Sequence, residues 1–116
     1  MSVVATILSI LLTLTFLGVG AGKLAGIEQM KQSADHLGVS PALNRTIGVL
    51  ELAAAAGLIA GFWLQSLGLA ASIGLVLLMV GAVYYHAKAK DPVSRLVPPA
   101  GLGVLAVVNA VLLGLT

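Results

Sequence analysis

The chain has 116 residues, of which 59% are apolar and only 9% charged, with a net charge of +2 and no cysteine. A water-soluble domain carries roughly 25% charged residues, so a chain this apolar needs lipid as its solvent. The missing cysteine excludes disulfides, thiol relays, iron–sulfur clusters and thiolate metal sites, and the small net charge with 4% aromatic content argues against a nucleic-acid surface.

The first apolar run covers residues 3–22, close to the ~20 residues that cross a bilayer core. A cleaved signal peptide is the alternative. No basic residue precedes the run, however, and its apolar core is longer than the roughly 7–15 residues of a signal peptide, so we read it as a retained span. In the following segment, Leu24, Ile27, Met30, Ala34 and Leu37 recur every three or four positions, with Glu28, Lys31, Gln32 and Asp35 between them. This pattern predicts a short amphipathic helix along the membrane interface rather than a plain solvated connector. The second span, residues 41–62, opens on Ser40-Pro41, a favoured helix cap followed by a favoured first helical residue. A turn through Trp63, an interfacial anchor, leads into the third span at residues 67–86. Residues 86–96 read as a solvated loop and residues 97–115 as the fourth span. The expectation is an all-α fold, a single domain over residues 1–116: an integral membrane four-helix bundle with one interfacial helix between spans one and two.

All six basic residues (Lys23, Lys31, Arg45, Lys88, Lys90 and Arg95) lie on or just inside the side that holds residues 23–40 and 86–96. The positive-inside rule then makes those loops cytoplasmic and puts both termini outside, in a multi-pass membrane protein. Small residues set how closely the spans approach. Gly57 and Gly61 form a GxxxG in span two that serves either the internal packing or a dimer face.

One residue stands out. Glu51 lies ten residues into span two, about 15 Å along the helix and near the bilayer midplane. An ionised side chain there costs about 2.5–3.5 kcal/mol on insertion scales. Gly48, Ala54, Ala55 and the polar Asn44 share its face, which is therefore expected to point into the bundle. Thr13, Thr15 and Asn109 offer hydrogen bonds at related depths, and Lys23, Arg45 and His86 form a cationic layer nearer the loops, beside Tyr84 and Tyr85. Arg45 is six residues from Glu51 and points off its face, which leaves Lys23 and His86 as the better partners. Three readings stay open: a buried network that fixes helix register, a polar-floored cavity for a ligand or proton, and a neutral, inert carboxyl. His36 and His86 do not form a metal-ligand set by spacing. No zinc-protease motif, phosphate loop or nucleophile elbow occurs, so catalysis by this chain alone is not expected.

The pieces "GAGKLAG" closing span one, "LGVSPALNRTIGVLELAAAAGLI" around span two and "GAVYYHAKAKDP" closing span three resemble the DoxX family over nearly the whole chain. That resemblance implies a four-helix inner-membrane protein and carries attention to Lys23, Glu51 and His86. It also implies association with partner enzymes or with thiosulfate:quinone oxidoreductases, and a distant likeness to the animal receptor chaperone NACHO. Without cysteine, this chain alone performs no thiol redox chemistry.

Two functions follow, with a small-solute or proton transporter a weaker third because no inverted repeat or broken helix stands out. The first is an accessory protein with a polar intramembrane site around Glu51, Lys23, His86, Asn44, Arg45, Tyr84 and Asn109 that binds a membrane partner, or a second copy, or assists its assembly. It needs no cofactor. The alternative is the membrane subunit of a quinone-linked oxidoreductase, with quinone or a proton at the Glu51, Lys23 and His86 layer.

Overall fold

Caps and breakers in the sequence divide the chain into five helices: α1 (Val3–Ala25), α2 (Glu28–Leu37), α3 (Pro41–Ala60), α4 (Gln65–Lys88) and α5 (Val93–Gly114). The computed structural model describes residues 1–115. Ser2 and Ser40 each accept a hydrogen bond from a first-turn N–H, of Ala5 and Leu43, both at 3.1 Å. Gly26 and Gly38 close α1 and α2 in the left-handed conformation, φ 69° and 74°, which glycine adopts without a Cβ penalty.

The four long helices are apolar enough to span a bilayer. They form a ring in which α1 packs on α3 and α5, and α4 packs on α3 and α5. Leu12, Phe16, Leu58, Leu75, Met79 and Ala106 meet in its core. Leu14, Leu77, Val80 and Val104 point outward, which is stable only against lipid. One end of the ring, the terminal face, carries the chain start, the α3–α4 turn with the exposed Trp63, and the end of α5. The other, the loop face, carries α2 and residues 89–92, with α2 touching α1, α3 and α4. The fold is a four-span helical membrane bundle with a short fifth helix at its loop face.

Glycines decide the closest approaches. A Cβ on Gly61 would lie 2.7 Å from Gly68 Cα, and one on Gly57 would lie 2.9 Å from Ala71 Cβ. The GxxxG of α3 is thus used in the close approach within the α3–α4 hairpin. Between α1 and α3, a Cβ on Gly20 would lie 2.9 Å from the Gly48 carbonyl oxygen.

Helix limits differ from the sequence expectation at the loop face. The helix expected from residue 23 is split at Gly26, and its first residues extend α1. α4 continues to Lys88, and α5 starts at Val93, not residue 97, so the loop expected over residues 86–96 shrinks to residues 89–92. Two prolines, Pro98 and Pro99, lie inside α5. Their missing N–H groups free the carbonyls of Ser94 and Arg95, exposed residues on the loop face where the membrane interface supplies other partners. The turn is tightened by Lys90, the one non-glycine described residue with positive φ, at 59°.

Candidate functional site

α1 and α3 run antiparallel, and Gly20 faces Gly48. Lys23 lies one turn from Gly20 toward the loop face, and Glu51 lies one turn from Gly48 toward the terminal face, an axial offset of about 9 Å. Helical side chains lean toward the N-terminus of their own helix, so Lys23 leans down and Glu51 leans up. The two meet at 2.7 Å, Lys23 Nζ donating to Glu51 Oε1. The Lys23 stem passes directly over Gly48, where an added Cβ would lie 3.0 Å from Lys23 Cβ. Glu51 is 1% exposed, while the Lys23 side chain is 19% exposed and opens toward the loop face. The result is a neutral pair with the acid sealed and the amine at the rim.

The other residues of the expected site do not join this pair. Arg45 is exposed and Asn44 half-buried, and both line a recess beneath α2. Tyr84 is exposed and stacks edge-on against Tyr85, with ring centroids 5.6 Å apart. Asn109 sits in a separate knot deep toward the terminal face, where its amide donates to Ser9 Oγ at 3.2 Å and to Ser72 Oγ at 3.0 Å. Ser72 in turn donates to the Gly68 carbonyl at 2.9 Å. Thr15 bonds its own helix at Leu11, and Thr13 Oγ1 and Asn109 Oδ1 are buried without a hydrogen-bond partner. Three spans are thereby tied at one depth.

His86 has another partner than the one expected. Its Nδ1 lies 2.6 Å from Asp91 Oδ2, and His36 Nε2 lies 2.6 Å from Asp91 Oδ1. The left-handed Lys90 makes this possible, because it returns Asp91 N–H to the His86 carbonyl at 3.0 Å and so folds the carboxylate back onto the imidazole. The Asp91 side chain is 5% exposed. Its hydrogen bonds from His36 first, then His86, hold its pKa below the ordinary aspartate value. This clasp ties α2 to the α4–α5 turn. It is a bridge of hydrogen bonds, and no group of three His, Asp or Glu among the described residues has a metal-binding arrangement. The sequence signal for it was the short spacing from His86 to Asp91. The contribution of His36, 55 residues away from Asp91, required the fold.

The model of the DoxX-like family matches residues 7–109. The chain belongs to that family. No curated protein and no solved structure matches it. The matched span includes every group of the Lys23–Glu51 pair and of the two other polar clusters.

Proposed function

We propose that this member of the DoxX-like family is an accessory protein that holds or helps assemble another integral membrane protein through its lipid-facing surface. The observation that carries this reading is a shallow groove of about 550 Å³ between α3 and α4, with Ala53, Gly57, Ala70, Ala71 and Gly74 among its lining residues. Gly74 is the informative member. An added Cβ there meets nothing within 4 Å, so no internal packing requires glycine, although glycine weakens a helix by up to about 1 kcal/mol relative to alanine. A groove of alanine and glycine flanked by Leu50, Leu67, Leu77 and Leu78 within the apolar span suits a partner helix, because small residues allow the close approach on which helix association in lipid relies. On this reading the Lys23–Glu51 pair is internal: it locks α1 against α3 and keeps the groove-bearing helix in register.

Photo-cross-linking from position 74 in native membranes tests the reading. A covalent adduct to a different membrane protein is expected, and Gly74→Leu should abolish co-purification of that protein while leaving the fold intact. Adducts to lipid alone, or an unchanged partner set in Gly74→Leu, would refute it. The quinone alternative needs Glu51, Lys23 and His86 together as one layer, an arrangement that the bonding of His86 to Asp91 does not favour.

The placement of all six basic residues at or near the loop face supports an inner-membrane topology with that face in the cytoplasm and both termini outside.

A further inference from the structure

Glu28, Lys31, Gln32 and Asp35, one exposed face of α2 at spacings of three, four and seven, border an open recess of about 680 Å³ that Asn44 and Arg45 of α3 line on the other side. Lys31 is folded back over the left-handed Gly26, with Nζ 3.7 Å from where a glycine-26 Cβ would stand. Leu24, Val39 and Pro41 supply apolar wall, and Lys23 lies at the inner end with its charge already matched by Glu51.

The remaining charges are balanced but unpaired. Lys31 and Arg45 are cationic, Glu28 and Asp35 anionic, and the ion pairs among the described residues involve none of the four. A purely anionic ligand would meet the two carboxylates, and a purely cationic one the ammonium and guanidinium. A solute that carries both signs a few atoms apart satisfies both pairs. The recess also lies at the loop-face ends of α1 and α3, the depth at which a bilayer changes from hydrocarbon to headgroups.

From these features we infer that the recess binds a zwitterionic phosphate–amine group, the phosphoethanolamine unit, with Lys31 and Arg45 on the phosphate and Asp35 and Glu28 on the ammonium. Arg45 offers the planar fork that matches phosphate oxygens, and a primary ammonium donates to carboxylates in a way that a quaternary one does not. The apolar wall and the interfacial depth suit the lipid-borne form. This inference concerns the loop face and stands independently of the α3–α4 groove.

The test is lipid retention by the purified full chain from nanodiscs of equal phosphatidylethanolamine, phosphatidylcholine and phosphatidylglycerol, read by native mass spectrometry. Phosphatidylethanolamine should be retained over the other two by about tenfold, the size of one charge-assisted hydrogen bond. Lys31→Ala with Arg45→Ala should remove that retention, and Asp35→Asn with Glu28→Gln should keep phospholipid binding but erase the preference over phosphatidylglycerol. All four side chains are exposed, so thermal unfolding should match the wild type and exclude misfolding as the cause. Competition with free O-phosphoethanolamine separates the sources. Weak displacement relative to a short-chain phosphatidylethanolamine assigns the site to lipid, and equal potency assigns it to a soluble phosphate–amine. Retention of phosphatidylglycerol equal to phosphatidylethanolamine in the wild type, or variants indistinguishable from it, would overturn the inference.

Discussion

Glu51 and Lys23 each depend on the other. A carboxylate sealed at 1% exposure within the apolar span is tolerated because an ammonium reaches it at 2.7 Å. Removing one partner leaves an unmatched buried charge, which typically costs 3–5 kcal/mol, whereas replacing both by neutral groups is close to neutral. Lys23→Met should therefore destabilise the bundle by about 3 kcal/mol, and Lys23→Met with Glu51→Gln should recover most of that loss. Unfolding of the purified protein by a graded denaturing detergent measures both, and equal stability of Lys23→Met and wild type would mean that the pair is not a lock. Position 51 was legible as an anomaly from its apolar surroundings alone, and Lys23 was one of two favoured partners. The choice between Lys23 and His86 was not legible, because it depends on the lean of two antiparallel helices and on Asp91 drawing His86 away.

At the scale of elements, the lock works because glycine lets α1 and α3 approach. Gly20→Ala places a Cβ 2.9 Å from both the Gly48 carbonyl and Leu52 Cγ, so the helices must separate, at a cost of about 1–3 kcal/mol. Gly74→Ala, with open space around it, should be neutral or stabilising. The same unfolding measurement distinguishes them, and equal effects would show that the α1–α3 contact is not the tight one. α2 answers to a different control. Its tie to the α4–α5 turn is Asp91, whose pKa is lowered in the folded chain by the bonds from His36 and His86. A depressed carboxylate pKa contributes stability above its unfolded value, about 3.9, and loses it as pH falls through the folded value. The protection of α2 amides, measured as exchange relative to the intrinsic rate at each pH, should therefore fall below about pH 4 in wild type, with Asp91→Asn showing low protection already at neutral pH. Protection in α2 that is independent of pH across this window would exclude the clasp.

For the whole molecule, the charge asymmetry and the ring of spans together give a topological prediction. A reporter fused at the C-terminus should be active only outside the cytoplasm, and one inserted at Gly38, in the exposed turn after α2, only inside. Cytoplasmic signal from the C-terminal fusion would reverse the orientation. The sequence alone determined that the chain is helical and membrane-embedded, with four helices long enough to cross, and that one acid lies within an apolar span. These follow from composition, run length and local capping, which need no knowledge of neighbours. Only the tertiary structure decided which polar groups meet. It paired Lys23 with Glu51 across Gly48, joined Ser9, Ser72 and Asn109 from three helices, and closed His36 onto Asp91. Such pairings depend on helix rotation and depth, to which residues far apart in the chain contribute together, and no local stretch of sequence contains that information.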